Sequence, residues 1–206
     1  MSDPPSQQRI APLAPEDWDE RVRAILAPTG SSVAKLEDRP GEPETAEPRR
    51  PLPILTTLAH HPVLLEAFIG FASTLTLRGR LSRRDAELVS LRASWNCGSD
   101  FEWGHHRLYA LAAGLSDDEI QRVAAGCEAA EWSEREAALL RATDELHGEQ
   151  TIRSQTWDVL ARHFDPAQLI ELLFTVGQYT TLSRITNALQ IRLEPHLEGL
   201  PTRPPR

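Results

Sequence analysis

At 206 residues, with a formal charge of −8 and 25% charged side chains, the chain is large enough for one well-buried domain and too apolar for a disordered one. The acidic surplus repels phosphate backbones and no dense Lys/Arg run offsets it, since Arg203 and Arg206 sit in a Pro-rich tail; no nucleic-acid partner is expected. No run of about 18 apolar residues occurs, and the N-terminus lacks the apolar core of a signal peptide, so the expectation is a cytoplasmic protein with no membrane partner.

In chain order, Trp18, Val22, Ile25 and Leu26 have the i, i+4, i+7, i+8 spacing of one helix face, which predicts a short amphipathic helix. From Pro28 to Pro53 the chain is rich in Pro, Glu, Arg and Gly and cannot bury enough surface to fold alone, so residues 1–53 read as an N-terminal arm with a linker. From Ile54 the apolar pattern is dense and helical over residues 54–198, leaving 199–206 as a disordered tail.

Local signals punctuate this helical domain. Pro62 opens a helix that fades near Gly79, and Ser82 with Asp85 caps one running from about Arg83 to Trp95, broken by Gly98. A helix from about Ser99 ends at Gly114, where glycine suits a left-handed C-cap. Ser116 with Glu119 and Ser133 with Glu136 start two more, and Ser154 or a neighbour starts a third carrying Trp157, Leu160 and Phe164. Asp165 before Pro166 opens a long helix to about Leu189, with softening expected at Gly177. No segment alternates with period two, so the fold class is all-α, a helical bundle.

Chemistry concentrates in Glu87 to His106, ELVSLRASWNCGSDFEWGHH, which joins two helices. Ser99, Glu102 and His106 fall at i, i+3 and i+7 on one helix face, and the turn at Asn96 to Gly98 lets Glu87 face them from the preceding helix. A carboxylate and an imidazole on adjacent turns make an acid–base pair if they are partly buried; on a solvated face they are an ordinary helix pair. Trp95, Trp103 and Tyr109 read either as core or interface aromatics or as substrate stackers. Glu102, His106 and Glu87 also form a carboxylate–histidine set, but no HExxH arrangement is present and no metal is expected. His60, His61, His147, His163 and His196 lack ligand-like spacing.

The run CGSDFEWGHHRLYALAAGLSDDEI resembles the signature segment of the carboxymuconolactone decarboxylase and alkylhydroperoxidase D-like superfamily, as do AALLRATDELH from Ala137 and LLFTVGQYTTLSRITNAL from Leu172. Peroxidase-type members carry a Glu and then Cys-x-x-Cys-x-x-x-His. Glu87 and His106 match that pattern, while its two cysteine positions fall on Ser99 and Glu102. Cys97 and Cys127 lack that spacing, so a thiol-dependent peroxidase or disulfide reductase is the alternative reading, and a non-catalytic ligand-binding module a third. The resemblance implies the decarboxylase-like branch: a cofactor-free lyase or isomerase of aromatic-compound catabolism acting on a small carboxylated organic acid, a lactone or keto acid. In that reading His106 exchanges the proton, Glu102 shares it and Glu87 orients His106. Ser99, His105 and Trp103 are the substrate-binding candidates, and Arg83, Arg84, Arg92 or Arg107 would meet the substrate carboxylate. The resemblance further implies a homo-oligomer, a trimer or hexamer, to which the apolar segment Leu169 to Leu193 and the Trp18 helix could contribute.

Overall fold

A computed structural model describes residues 8–29 and 51–202. Most of the expected linker, residues 30–50, and the last residues of the expected tail, 203–206, lie outside the described residues.

After a 3-10 turn at Pro15–Asp17, the described helices are α1 (Glu20–Leu26), α2 (Pro53–Leu58), α3 (Pro62–Arg78), α4 (Arg83–Cys97), α5 (Asp100–Ala112), α6 (Asp117–Ala125), α7 (Glu134–Glu149), α8 (Ser154–His163) and α9 (Pro166–Leu189). The described residues contain no strand, and no described helix is long and apolar enough to cross a membrane.

The sequence signals explain most boundaries. Ser116 and Ser133 accept from the N–H groups of Glu119 and Glu136, whose side chains reach back to the cap N–H groups, and Asp165 does the same with Gln168. Each device satisfies amides that a helix start leaves without partners. Gly98 (φ 64°) turns the chain between α4 and α5 in the left-handed region, where a side chain is costly. The softening expected at Gly177 does not occur: α9 runs unbroken for 24 residues, because neighbours on both sides of that glycine are buried against the bundle.

Helix α4 is the axis of the bundle, packed by α5, α6, α7 and α9. Leu88, Val89 and Leu91 on it are fully buried and divide between two core clusters, Val89 with Leu139, Leu160 and Leu172, and Leu88 and Leu91 with Trp103, Ile120 and Leu140. Burying each such side chain contributes about 1.5–3 kcal/mol. A third cluster joins Val22 and Leu26 of α1 to Leu65, Phe101, Tyr179 and Leu182. Residues 8–29 therefore dock into the core, and backbone bonds from Arg9 to Leu189 and from Leu13 to Thr56 fix them there. The tail expectation is corrected too. Leu200 packs on the Trp103 cluster and donates its N–H to Asp100.

Candidate active site

Three of the expected residues meet. The turn at Gly98 folds α5 back along α4, bringing Glu87 Oε2 within 2.6 Å of His106 Nδ1 across 19 residues of sequence. One turn earlier on α5, Glu102 Oε2 lies 3.9 Å from His106 Nε2. The imidazole thus has a carboxyl group at each nitrogen, and all three side chains are buried. Tyr179 of α9 closes the cluster with its ring edge-on to His106, centroids 4.3 Å apart.

Burial and neighbouring charge shift the proton affinities of Glu102, His106 and Tyr179. Glu102 is pushed above the ordinary carboxylate range by desolvation, which outweighs the pull of His106 and His105. His106 is raised despite its own burial, because the adjacent Glu87 carboxylate, its hydrogen bond and Glu102 all favour the charged ring. Tyr179 is raised by burial and by the nearby Glu87 and Glu102, so its hydroxyl keeps its proton. Glu102 and His106 Nε2 are thus two protonatable groups 3.9 Å apart, both shifted toward holding a proton.

The cluster forms one side of a cavity of about 200 Å³, whose walls are largely apolar: Phe68, Ile69 and Ala72 from α3, Leu52, Ile54 and Leu55 around α2, and Phe101 and Leu182. Its polar lining includes Glu102, His105, His106, Tyr109 and Gln178. Pro28 and Thr29 also reach it, so the N-terminal segment helps to enclose the site. A second cavity, of about 250 Å³, lies behind Thr76, Leu77 and Tyr179, which line both, and its lining includes Glu87 and Arg83.

Two expected substrate contacts belong elsewhere. Ser99 is the N-cap of α5: its Oγ accepts from Glu102 N–H and lies 3.0 Å from Thr186 Oγ1, and it is buried without lining the cavity. Trp103 follows Glu102 by one residue, about 100° round the helix, and is buried in the core beside Trp95 rather than in the cavity. His105 does line the cavity, and its Nε2 also lies 3.0 Å from Glu194 Oε2. Arg84 pairs with Glu119 and Glu136, Arg92 with Asp144, and Arg107 with Asp117 and Glu198; Arg83 borders only the second cavity. No described Arg or Lys lines the first cavity.

Cys97 lies 3.9 Å from His147, and Cys127 sits by Glu128 with its thiol raised mainly by burial; neither lines the cavity at His106 or the second one behind it. Among the described residues no group of three His, Cys, Asp or Glu side chains is placed to hold a metal ion. The contributions of Gln178, Tyr179 and Glu194 were not anticipated. A signal existed for the first two: Thr175, Gln178, Tyr179, Ser183 and Thr186 form a polar seam at helical spacing on the apolar α9, and all are buried.

No curated protein matches the chain. Among solved structures, an uncharacterized peroxidase-related protein from Silicibacter sp. TM1040 is 15% identical and superposes over 95% of this chain and 96% of its own with a TM-score of 0.72. The debrominase Bmp8 is 14% identical over 92% of this chain and 94% of its own, TM-score 0.73, and has also been captured as a cysteine-to-alanine variant with 2,3,4-tribromopyrrole. An alkylhydroperoxidase AhpD core, a peroxidase-related protein from Ralstonia eutropha JMP134, is 18% identical over 69% of this chain and 76% of its own, TM-score 0.63. At these identities the likeness is one of fold. Residues 62–145, which hold Glu87, Glu102, His105 and His106, match the model of the Carboxymuconolactone decarboxylase family, and the fold is the one shared by AhpD-like proteins.

Proposed function

We propose that the protein is a cofactor-free lyase or isomerase in which His106 moves a proton to or from carbon in a small organic compound held in the 200 Å³ cavity. One observation carries this reading: the buried His106 ring bridges two carboxyl groups, at 2.6 Å and 3.9 Å, beside that cavity. Glu87 accepts from Nδ1–H, fixing the ring so that Nε2 faces Glu102, and its charge favours the imidazolium that forms when Nε2 takes a proton. Glu102, whose hold on a proton burial strengthens, can return one to a neighbouring atom of the same substrate. An enolate-like centre left by deprotonation would be stabilised by the same donors.

The lining bears on the substrate. Glu87 and Glu102 already place two carboxyl groups around one imidazole, and no described Arg or Lys joins them in the cavity. An added carboxylate would be a buried charge without a dedicated partner, which is expensive. The lining therefore favours an uncharged lactone or ketone over its free acid. The thiol-dependent alternative finds no cysteine among the described lining residues. We also propose a cytosolic homo-oligomer, supported by a groove of about 760 Å³ between α3 and α9 where Leu64, Phe71, Leu173 and Phe174 are exposed.

The test is turnover of paired lactones, β-keto acids and their methyl esters, following carbon dioxide release and isomerisation, by wild type, His106→Ala and Cys97→Ser/Cys127→Ser. Turnover lost only in His106→Ala supports the proposal; turnover lost in the cysteine variant but kept in His106→Ala overturns it.

A further inference from the structure

The hydrogen bond between His106 and Glu87 runs between the two cavities. His106 lines the first and not the second, Glu87 the second and not the first, and Thr76, Leu77 and Tyr179 belong to the wall they share. The 2.6 Å contact from His106 Nδ1 to Glu87 Oε2 therefore crosses from one chamber to the other.

The chambers differ in kind. The first is walled largely by apolar side chains, whereas the lining of the second includes Glu87, Arg83, Thr76 and Thr175, the polar partners that held water requires, around room for several water molecules. That lining runs from the buried Leu81, Glu87 and Thr175 to the exposed Leu77, Gly79 and Arg83, so the second cavity opens to solvent. Glu87 keeps 9% of its side-chain surface accessible, and because it does not line the first cavity, water meets it from the second. A substrate seated against His106 Nε2 fills the first cavity and displaces water from it. A proton that the ring takes up there must then find its way to solvent from the opposite nitrogen, and that nitrogen is committed to Glu87.

We propose that the second cavity is the proton port of the site, and that Glu87 relays protons through it as well as orienting His106. The step balances. A proton taken from carbon makes His106 an imidazolium, Nδ1 passes its own hydrogen to the Glu87 carboxylate, and the carboxylic acid so formed yields that hydrogen to water in the second cavity. What remains is a neutral ring protonated at Nε2 and a Glu87 carboxylate, with one proton released to solvent; the reverse sequence brings one in. This rests on the proton-transfer reading for its purpose, but exchange at Nδ1 is measurable without any substrate.

With histidine labelled by 15N, exchange of the His106 Nδ1 hydrogen with water is read by magnetisation transfer in NMR. Ala86 lines the second cavity and not the first, and Ala72 the first and not the second, so Ala86→Leu obstructs the proposed port and Ala72→Leu the other chamber. Ala86→Leu is expected to slow the exchange by about tenfold or more, because the hydrogen must then wait for local opening of the bundle, with the Nδ1 shift unchanged. Ala72→Leu should leave the rate within about twofold of wild type. Thr175→Leu fills the second cavity from α9 and should slow exchange likewise, which keeps the test in force should Ala86→Leu fold poorly. Exchange slowed as much by Ala72→Leu as by the second-cavity variants, or slowed by none of them, overturns the inference. Exchange that obeys these expectations with no turnover of any compound contradicts the proton-transfer reading alone.

Discussion

Replacing a helix-interior glycine by alanine ordinarily stabilises a protein by about 1 kcal/mol, because alanine loses less conformational freedom. Gly104, in the middle of α5, should behave in the opposite way. Its added Cβ would lie 2.6 and 2.8 Å from the Leu193 methyl carbons and 3.2 Å from the Glu198 carbonyl oxygen. Leu193 can rotate away, but the carbonyl belongs to the backbone, so the segment bearing Glu194 must lift. Overpacking of this kind costs about 1–3 kcal/mol, which sets the net change for Gly104→Ala between about zero and 2 kcal/mol of destabilisation. Gly70 in α3 is the control, since a Cβ there meets nothing within 4 Å. For a chain of this size each kcal/mol moves Tm by about 2–4 °C, so Gly70→Ala should melt higher than wild type and Gly104→Ala level with it or lower. The assay is thermal unfolding by circular dichroism, with the His105 15N shifts as a second readout of whether Glu194 has moved. A rise in Tm for Gly104→Ala equal to that of Gly70→Ala would show that the C-terminal segment does not press on α5.

Other expectations follow from the same geometry. Glu102 and His106 are both raised, so the native state holds protons that the unfolded chain releases: stability should decline as pH rises above 4.5 on account of Glu102, and further above 6.5 as His106 approaches its own elevated titration. Glu102→Gln should flatten the first part of that decline in urea titrations across pH, and an unchanged slope would mean that Glu102 is not buried as described. Ser99→Ala removes a cap worth about 1 kcal/mol and should lower Tm by about 2–4 °C while turnover persists. Lost turnover with unchanged Tm would return Ser99 to the site. Phe174, 53% exposed and edge-on to Phe71, should be needed for assembly, so Phe174→Asp should lower the mass seen by sedimentation. An identical mass would remove the α3/α9 groove as the interface.

What was legible in the sequence was local. The caps at Ser116, Ser133 and Asp165 and the left-handed Gly98 and Gly114 act over a few residues, and their side chains announce them. The Glu87, Glu102 and His106 cluster was legible because one glycine turn joins two adjacent helices, leaving few ways for the faces to meet. Contacts set by distant packing were not. Helix spacing put Ser99 on the same face as Glu102, yet its role as N-cap consumes its hydroxyl, and Trp103 is turned into the core by a single residue of rotation. Glu194 lies 89 residues from His105, past the last helix, where no periodic pattern signals a contact. The N-terminal segment read as an arm because it lacks a core of its own; Val22 and Leu26 complete one supplied by α3 and α9.

The most direct test of the central claim is deuterium incorporation from D2O into an uncharged lactone or cyclic ketone, read by proton NMR with wild type, His106→Ala and Glu87→Gln in parallel. The account predicts enzyme-dependent exchange at carbon, abolished in His106→Ala and slowed about a hundredfold or more in Glu87→Gln, in line with the usual contribution of a positioned acid–base group. Exchange that continues undiminished without the His106 imidazole would contradict it.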